Sequence, residues 1–492
     1  MSNTKDKVLS GLFWKFGERI TAQVVTFVVS LVLARKLATA DYGLVSLVMV
    51  FITFANALVV NGFGTSLIQK KDADNDDFST VLWFQIITAS CLYALLFATA
   101  PLIASFFGEG YELLAPVLRV LGLRIPLTAV NNVQQAFVAK RMIFKKFFFS
   151  TIIGTTVSAV VGIWMVYAGC GVWSIVGQYL TNTVMDTLIL GLTIHFKPAL
   201  ILSKTRLKTL FSYGWKILVA SLISEVYNEL RTLIIGKKYS KNDLAFFDQG
   251  KKIPQLIVVN INTSIENVLF PAIASVQNNP VDVKNIIRRA IRTSIYILCP
   301  LMFGLAAVGE PLVKLILTDK WLPCVPFLRI FCLAYCLEPI QTDNLQAIKA
   351  VGRSDIILKL EVIKKGSGLL ILLASMNFGV NAIAYSMLLT TILAATVNTF
   401  PNRNLIHYSY RELFIDMAPG LALSAVMAGL VYAIGFLPIP LIPLIAIQVV
   451  FGGLFYIGVS FLLKLEPFVY LKNTGFDFLK GMLRKKGKQD ET

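Results

Sequence analysis

From Gly11 to Leu463 the chain is a succession of long apolar blocks separated by short polar turns. A hydrocarbon core of roughly 30 Å takes about 20 apolar residues at a helical rise of about 1.5 Å each, and the blocks have that length. About fourteen can be drawn: 11–34, 42–65, 79–106, 113–138, 147–169, 171–194, 212–236, 245–277, 291–316, 325–348, 355–378, 379–401, 413–436 and 440–463. No soluble domain fits between them. The pattern predicts an all-α membrane protein of about 14 transmembrane helices, with a kink at Pro254 in the long eighth span. The polar start, Met1 to Ser10, leads into an apolar run without a small-residue cleavage site, which predicts a first membrane helix and no cleaved signal peptide.

Laid on itself at an offset of 201 to 213 residues, the chain repeats. Span one carries Ser10 to Trp14 and Lys15 and ends in Ala34-Arg35-Lys36 before Asp41; span seven carries Ser212 to Trp215 and Lys216 and ends in Gly236-Lys237-Lys238 before Asp243. Pro116, Leu118, Arg119 and Leu123 of span four match Pro326, Leu328, Arg329 and Leu333 of span ten, and Pro126, Asn132 and Gln134 match Pro339, Asn344 and Gln346. Six spans separate the copies, an even number, so both have one orientation and relate by an axis along the membrane normal. The expected organisation is two six-helix bundles related by a pseudo-two-fold (1–200 and 201–405), a final helix pair (406–463) without a partner in the repeat, and a tail (464–492).

Composition agrees with a bilayer as solvent: 56% of the 492 residues are hydrophobic and 15% charged, against about 25% charged in soluble chains. The net charge of +18 is spread over short loops, which speaks for membrane topology and against nucleic acid. With both termini in the cytoplasm, about 30 of the 46 Lys and Arg fall on the cytoplasmic side and about 7 outside, as the positive-inside rule expects. The loops after spans one and seven, with Lys36, Lys237 and Lys238, break that rule in matching places. The basic tail, Lys480, Arg484, Lys485, Lys486 and Lys488, either lies on anionic headgroups or is solvated. Six scattered cysteines with no CxxC pair argue against a zinc or redox motif and read as small packing residues.

Ser10-Gly11 to Trp14, Leu33-Ala34-Arg35-Lys36-Leu37, Asp41-Tyr42-Gly43, Asn61-Gly62-Phe63-Gly64 and Ile68-Gln69-Lys70 resemble the polysaccharide transporters of the multidrug/oligosaccharidyl-lipid/polysaccharide (MOP) flippase superfamily, above all the Wzx type serving colanic acid, lipopolysaccharide, exopolysaccharide and teichuronic acid export. Phe247-Asp248-Gln249-Gly250 to Pro254 and Leu269-Phe270-Pro271-Ala272 resemble that family's second-half signature. The resemblance spans essentially the whole chain. It implies a flippase of the bacterial inner membrane that moves undecaprenyl-pyrophosphate-linked oligosaccharide from the cytoplasmic to the periplasmic leaflet, with membrane lipids and a polysaccharide polymerase complex as partners.

Such a headgroup needs cationic and hydrogen-bonding side chains inside the bilayer, where an unpaired charge costs at least about 2.5 to 3.5 kcal/mol. Lys15, Arg19, Arg119, Arg124, Lys251, Lys252 and Arg329 are the candidate substrate-binding cations, with Lys216 and Arg231 as further charges within spans. Arg124 falls near mid-membrane, too deep to snorkel easily, and arginine offers two parallel hydrogen bonds to phosphate oxygens. Lys15 and Arg19 share a face at i,i+4, and Arg119 and Arg329 either line an exit or cap their bundles. Gln178, Asn182 and Asp186 form a polar stripe that is either glue between helices or a wall for sugar hydroxyls. Glu225, Glu229, Asp186, Glu266 and Glu338 are candidate ion-coupling carboxylates; structural pairing with Arg231, Lys216 or Arg124 is the competing reading for Glu225 and Glu229.

An enzyme is a poor reading. The two histidines, His195 and His407, fall in loops without an evident nucleophile, and neither a phosphate-cradling GxxxxGK[ST] nor an HExxH occurs. No cofactor and no metal site is expected. Three other readings stay open: a cation-coupled multidrug antiporter of the same superfamily, a peptidoglycan-precursor flippase, and a membrane polymerase or ligase of lipid-linked sugars. The last would be expected to hold a sizeable external loop, and the external loops here are short.

Overall fold

The computed structural model describes residues 2–60, 63–277 and 279–473. Asn61, Gly62 and the basic tail from Lys480 to Lys488 lie outside the described residues, as do the side chains of Lys15 and Lys216. All regular structure among the described residues is helical. Eleven helical stretches are long and apolar enough to cross a membrane, which makes this a multi-pass membrane protein.

Contacts divide the chain into two units, 1–245 and 246–492. The first holds α1 (Ser2–Lys36), α2 (Thr39–Val60), α3 (Phe63–Gln69), α4 (Asn75–Phe107), α5 (Leu114–Leu121), α6 (Arg124–Arg141), α7 (Phe144–Tyr167), α8 (Trp173–Ile194) and α9 (Lys204–Lys238). The long helix α10 (Lys241–Ala274) begins there and continues into the second unit, remaining one helix through Pro254 and Pro271. The second unit holds α11 (Pro280–Ala307), α12 (Gly309–Ile316), α13 (Val325–Cys336), α14 (Glu338–Ala350), α15 (Ser354–Ser375), α16 (Val380–Thr399), α17 (Asn402–Leu405), α18 (Tyr410–Ile434) and α19 (Leu441–Leu462). A short 3₁₀ segment, Asp319–Cys324, lies between α12 and α13. Helices α8, α9 and α15 are not among the eleven apolar stretches, and they carry the Gln178 stripe, Glu225 with Glu229, and the Glu361, Lys364, Lys365 group.

Spans four and ten, drawn as continuous from the sequence, each break in two, and they break by one device. Pro126 and Pro339 have no N–H to donate to the preceding turn. The chain answers by tightening to i→i+3 bonds: Leu123 N–H to the Val120 carbonyl and Ile125 N–H to Gly122 in the first unit, Leu337 N–H to Ala334 and Ile340 N–H to Leu337 in the second. The repeat found in the sequence is therefore a repeat of helix breaks as well as of residue types.

Prolines inside the other long helices orphan carbonyls in the same way, and each of two is answered by a distant side chain. Pro101 frees the carbonyl of Phe97, which accepts from Arg119 Nε at 3.1 Å. Pro300 frees that of Tyr296, which accepts the Tyr456 hydroxyl at 2.9 Å and so ties α19 to α11. The base of α4 is fixed by a capping box between Asp74 and Asp77. There Arg206 reaches Asp74 at 2.5 Å, holding its carboxyl at about 2, and the Trp83 indole donates to the Ala199 carbonyl at 2.8 Å, strapping the segment between α8 and α9 onto α4.

The core of the first unit gathers Phe63, Leu67, Phe78, Phe137 and Leu190 from α3, α4, α6 and α8. In the second unit Tyr296, Met427, Val431 and Tyr456 seat the final pair, α18 and α19, against α11. At the opposite end of α18, near its start, Asp416 accepts from Arg288 at 2.8 Å, Arg292 at 2.5 Å and the Tyr408 hydroxyl at 2.9 Å. A carboxylate removed from water is tolerable when two guanidiniums and a phenol satisfy it.

Candidate functional site

Arg124 is the first residue of α6, placed by the break at Gly122–Leu123. Its Nε donates to Thr183 Oγ1 at 3.0 Å, its Nη1 lies 3.5 Å from Met49 Sδ, and its guanidinium sits 5.2 Å from the centre of the Tyr179 ring. Thr183 is held in turn by donating to the Tyr179 carbonyl at 3.1 Å. Among the described residues no carboxylate forms an ion pair with Arg124, so neutral groups position a half-buried cation at the break. Thr183 and Tyr179, neutral residues far along the chain, were not singled out by sequence reasoning.

The stripe of Gln178, Asn182 and Asp186 lies on the neighbouring edge of α8, against α7. That helix presents small residues at every fourth position, Ser150, Gly154, Ser158 and Gly162, which lets the backbones approach. A Cβ on Gly162 would sit 3.0 Å from Gln178 Cβ, and one on Gly154 only 2.5 Å from Asp186 Oδ1. Asn182 Nδ2 reaches Thr155 Oγ1 at 3.5 Å, and Ser150 Oγ donates to the Asp186 carbonyl at 2.9 Å. Asp186 Oδ1 is buried without a hydrogen-bond partner, and Glu18 of α1 is its charged neighbour. Arg19, one residue on, is half-buried on α1.

Arg119 and Arg329 do matching work. Arg119 fills the carbonyl freed by Pro101 and covers the Phe97 ring at 4.5 Å. Arg329 Nε donates at 3.3 Å to the carbonyl of Ala306, in the last turn of α11 where no helical donor remains, and its guanidinium lies 5.4 Å from the Tyr432 ring. The lysines that break the charge rule are also employed. Lys237 donates to the Phe106 carbonyl and Lys241 to that of Gly110, over the rings of Phe106 and Tyr111, while Lys36 lies 5.0 Å over Tyr167.

In the second unit the broken helix carries the opposite charge. Glu338 opens α14 and accepts from Gln341 at 3.4 Å. One turn on, Asp343 is 1% exposed and accepts from Ser294 of α11 at 3.2 Å. Glu266 of α10 is a charged neighbour of both, and Lys364 of α15 is the cation near Glu338, itself 2.5 Å from Glu361. Asp343 and Lys364 are additions to the sequence-derived set. Asp343, an acid inside an apolar span, met the criterion that selected Glu338. Lys251 and Lys252 are half-buried on α10, with Asp248 one turn before Lys252. Glu225 and Glu229 are half-buried on α9, and Arg231 is buried with its guanidinium 5.8 Å from the Tyr227 ring.

Residues 32–326 match the model of a family described as polysaccharide biosynthesis protein. The chain is 23% identical over 445 residues to the lipopolysaccharide biosynthesis protein WzxC of Escherichia coli (strain K12), covering 88% of each. It is 22% identical over 363 residues to the teichuronic acid biosynthesis protein TuaB of Bacillus subtilis (strain 168), covering 72% of this chain and 74% of the relative. Its fold is similar to that of the lipid II flippase MurJ in an inward closed conformation, with a TM-score of 0.77 at 12% identity over 92% of this chain and 99% of that one. An inward-facing multidrug resistance MATE transporter of the MOP superfamily gives 0.61 at 17% identity, over 78% of this chain and 94% of that one. Identities this low speak for the fold alone. The family match covers more than half of the sequence, and the chain belongs to the polysaccharide biosynthesis protein family.

Proposed function

We propose that this protein is a flippase of the bacterial inner membrane, with both termini cytoplasmic, that carries undecaprenyl-pyrophosphate-linked oligosaccharide from the cytoplasmic to the periplasmic leaflet by alternating access. The family match and the relatives named for lipopolysaccharide and teichuronic acid biosynthesis support a place in surface-polymer assembly. The observation that supports the reading is Arg124: a half-buried arginine held by a threonine and a tyrosine, with no carboxylate paired to it among the described residues. A pyrophosphate brings two adjacent anionic groups, the complement of a guanidinium fork. Arg19 and Lys252 are the further candidates for headgroup contact, and the sugar hydroxyls would meet polar helix faces while the polyprenyl tail stays in lipid. A polymerase complex would consume the product.

The carboxylates Glu266, Glu338 and Asp343 favour a second element, coupling to an inward cation flow. They equally favour the rival reading of a cation-coupled drug antiporter, since an acidic site attracts cationic drugs. Cells lacking the protein and complemented with native chain, Arg124→Ala or Arg124→Lys at equal abundance separate the two. The flippase reading expects lipid-linked oligosaccharide to accumulate on the cytoplasmic leaflet with Arg124→Ala and to be partly cleared with Arg124→Lys. Unchanged polymer output with altered resistance to cationic dyes would replace it by the antiporter.

A further inference from the structure

Two cavities of about 230 Å³ each lie in the second unit, near opposite ends of α18. The polar groups of the first are already engaged: Asp416 is held by Arg288, Arg292 and Tyr408, and the Tyr296 carbonyl accepts from Tyr456. The second, among α12, α13 and the final helix pair, is walled by Arg329, Glu310, Lys314, Tyr432 and Gln448 together with apolar side chains such as Leu444. Its polar groups are only partly satisfied. Gln448, 1% exposed, donates Nε2 to the Val431 carbonyl at 2.9 Å but leaves Oε1 without a hydrogen-bond partner. Arg329 uses Nε on the Ala306 carbonyl, while its Nη2 has no hydrogen-bond partner, the nearest carboxylate being Glu310 Oε2 at 3.9 Å. Lys314 Nζ lies 3.3 Å from Asp319. Arg119 makes the same Nε contact in the first repeat, but α18 and α19, which form the far wall here, have no counterpart there.

Buried donors and acceptors left open inside a membrane bundle call for a ligand that supplies both. Arg329 Nη2 asks for an anion and Gln448 Oε1 for a hydrogen-bond donor, while the exposed Lys314 and Glu310 at the rim, which pair with Asp319 and Arg329, add a cation and an anion to them. One headgroup class meets all of these on an apolar body: a phosphodiester separated by two carbons from a primary ammonium. Phosphatidylcholine has the charge but no N–H, and phosphatidylglycerol has hydroxyls but no cation for Glu310. We infer that this cavity binds the headgroup of a primary-amine phospholipid of the phosphatidylethanolamine class, seated between the second bundle and the final helix pair. The inference is independent of what the protein transports.

Purified full-length protein equilibrated in mixed micelles with equimolar phosphatidylethanolamine, phosphatidylcholine and phosphatidylglycerol, then weighed intact by native mass spectrometry, tests it. The native chain should retain phosphatidylethanolamine about tenfold over phosphatidylcholine, the factor that corresponds to one well-made charged contact. Glu310→Gln should lower that preference by about threefold, and Lys314→Gln should lower retention of both lipids alike, each on an exposed side chain and at an unchanged unfolding temperature. Equal retention of the ethanolamine and choline lipids, or a preference that Glu310→Gln does not move, overturns the site. Stronger retention of phosphatidylglycerol, or displacement by millimolar inorganic phosphate, would mark a plain anion site and overturn the lipid assignment.

Discussion

The two broken helices, α5–α6 and α13–α14, share a backbone and differ in charge. In both, a proline removes one N–H and the chain tightens over a single turn before resuming. In the first unit the residue that opens the new helix is Arg124, supported by neutral partners. In the second it is Glu338, with Asp343 one turn on and Glu266 nearby. The break is thus a reusable support, kept by proline chemistry, and each copy has been given a different charge to hold. Under the proposed function the first copy meets the anionic headgroup and the second the coupling cation.

The largest expected effect comes from exchanging the sign at the first break. Arg124→Glu should abolish export in a leaflet-resolved assay, and Arg124→Ala should lower it at least about tenfold, the worth of one charge-assisted hydrogen bond. Export that survives Arg124→Glu would remove the distinction between the breaks. A smaller and different effect is expected at the second break: Glu338→Gln with Asp343→Asn should leave headgroup binding intact while making export insensitive to collapse of the ion gradient. If binding falls and gradient dependence persists, the acids belong to the substrate site.

Two further substitutions, at the α7–α8 seam and at the base of α4, should act on stability. Gly154→Ala puts a methyl 2.5 Å from Asp186 Oδ1 and 3.2 Å from the Asp186 backbone nitrogen, so the Asp186 side chain must turn aside or the α7–α8 seam open, at about 1–3 kcal/mol, visible as a lower unfolding midpoint in detergent. Smallest is the strap at the base of α4. With its carboxyl held at about 2, below the usual 3.8, Asp74 contributes stability that is full above about pH 4 and is lost as pH falls through about 2. Hydrogen exchange of residues 197–203 should therefore be the same at pH 7 and pH 5 once corrected for intrinsic rate. Arg206→Gln, which removes the contacts to Asp74 and to the buried Asp77, should raise the exchange of residues 197–203 at both pH values.

The membrane class and the all-helical fold were legible in the sequence because lipid demands long apolar runs, and Pro126 and Pro339, like Arg119 and Arg329, stand at matching positions in it. The breaks themselves were not, since an apolar run reads the same whether or not its helix tightens for one turn. Partners across the fold were also hidden. That Arg119 answers a carbonyl freed by Pro101 depends on two helices meeting, and the Gln178 stripe could be assigned to the α7 seam only once Gly154 and Gly162 were seen opposite it. Asp343 was legible and passed over beside Glu338.

The central claim, a cation at the first break that takes a pyrophosphate headgroup, is tested most directly with purified protein in liposomes carrying a fluorescent polyprenyl-pyrophosphate sugar, the label on each leaflet being read by a membrane-impermeant quencher. Native chain should equilibrate the leaflets, Arg124→Lys should do so more slowly, and Arg124→Ala at least about tenfold more slowly than native. Equal rates for the native chain and Arg124→Ala would contradict the account.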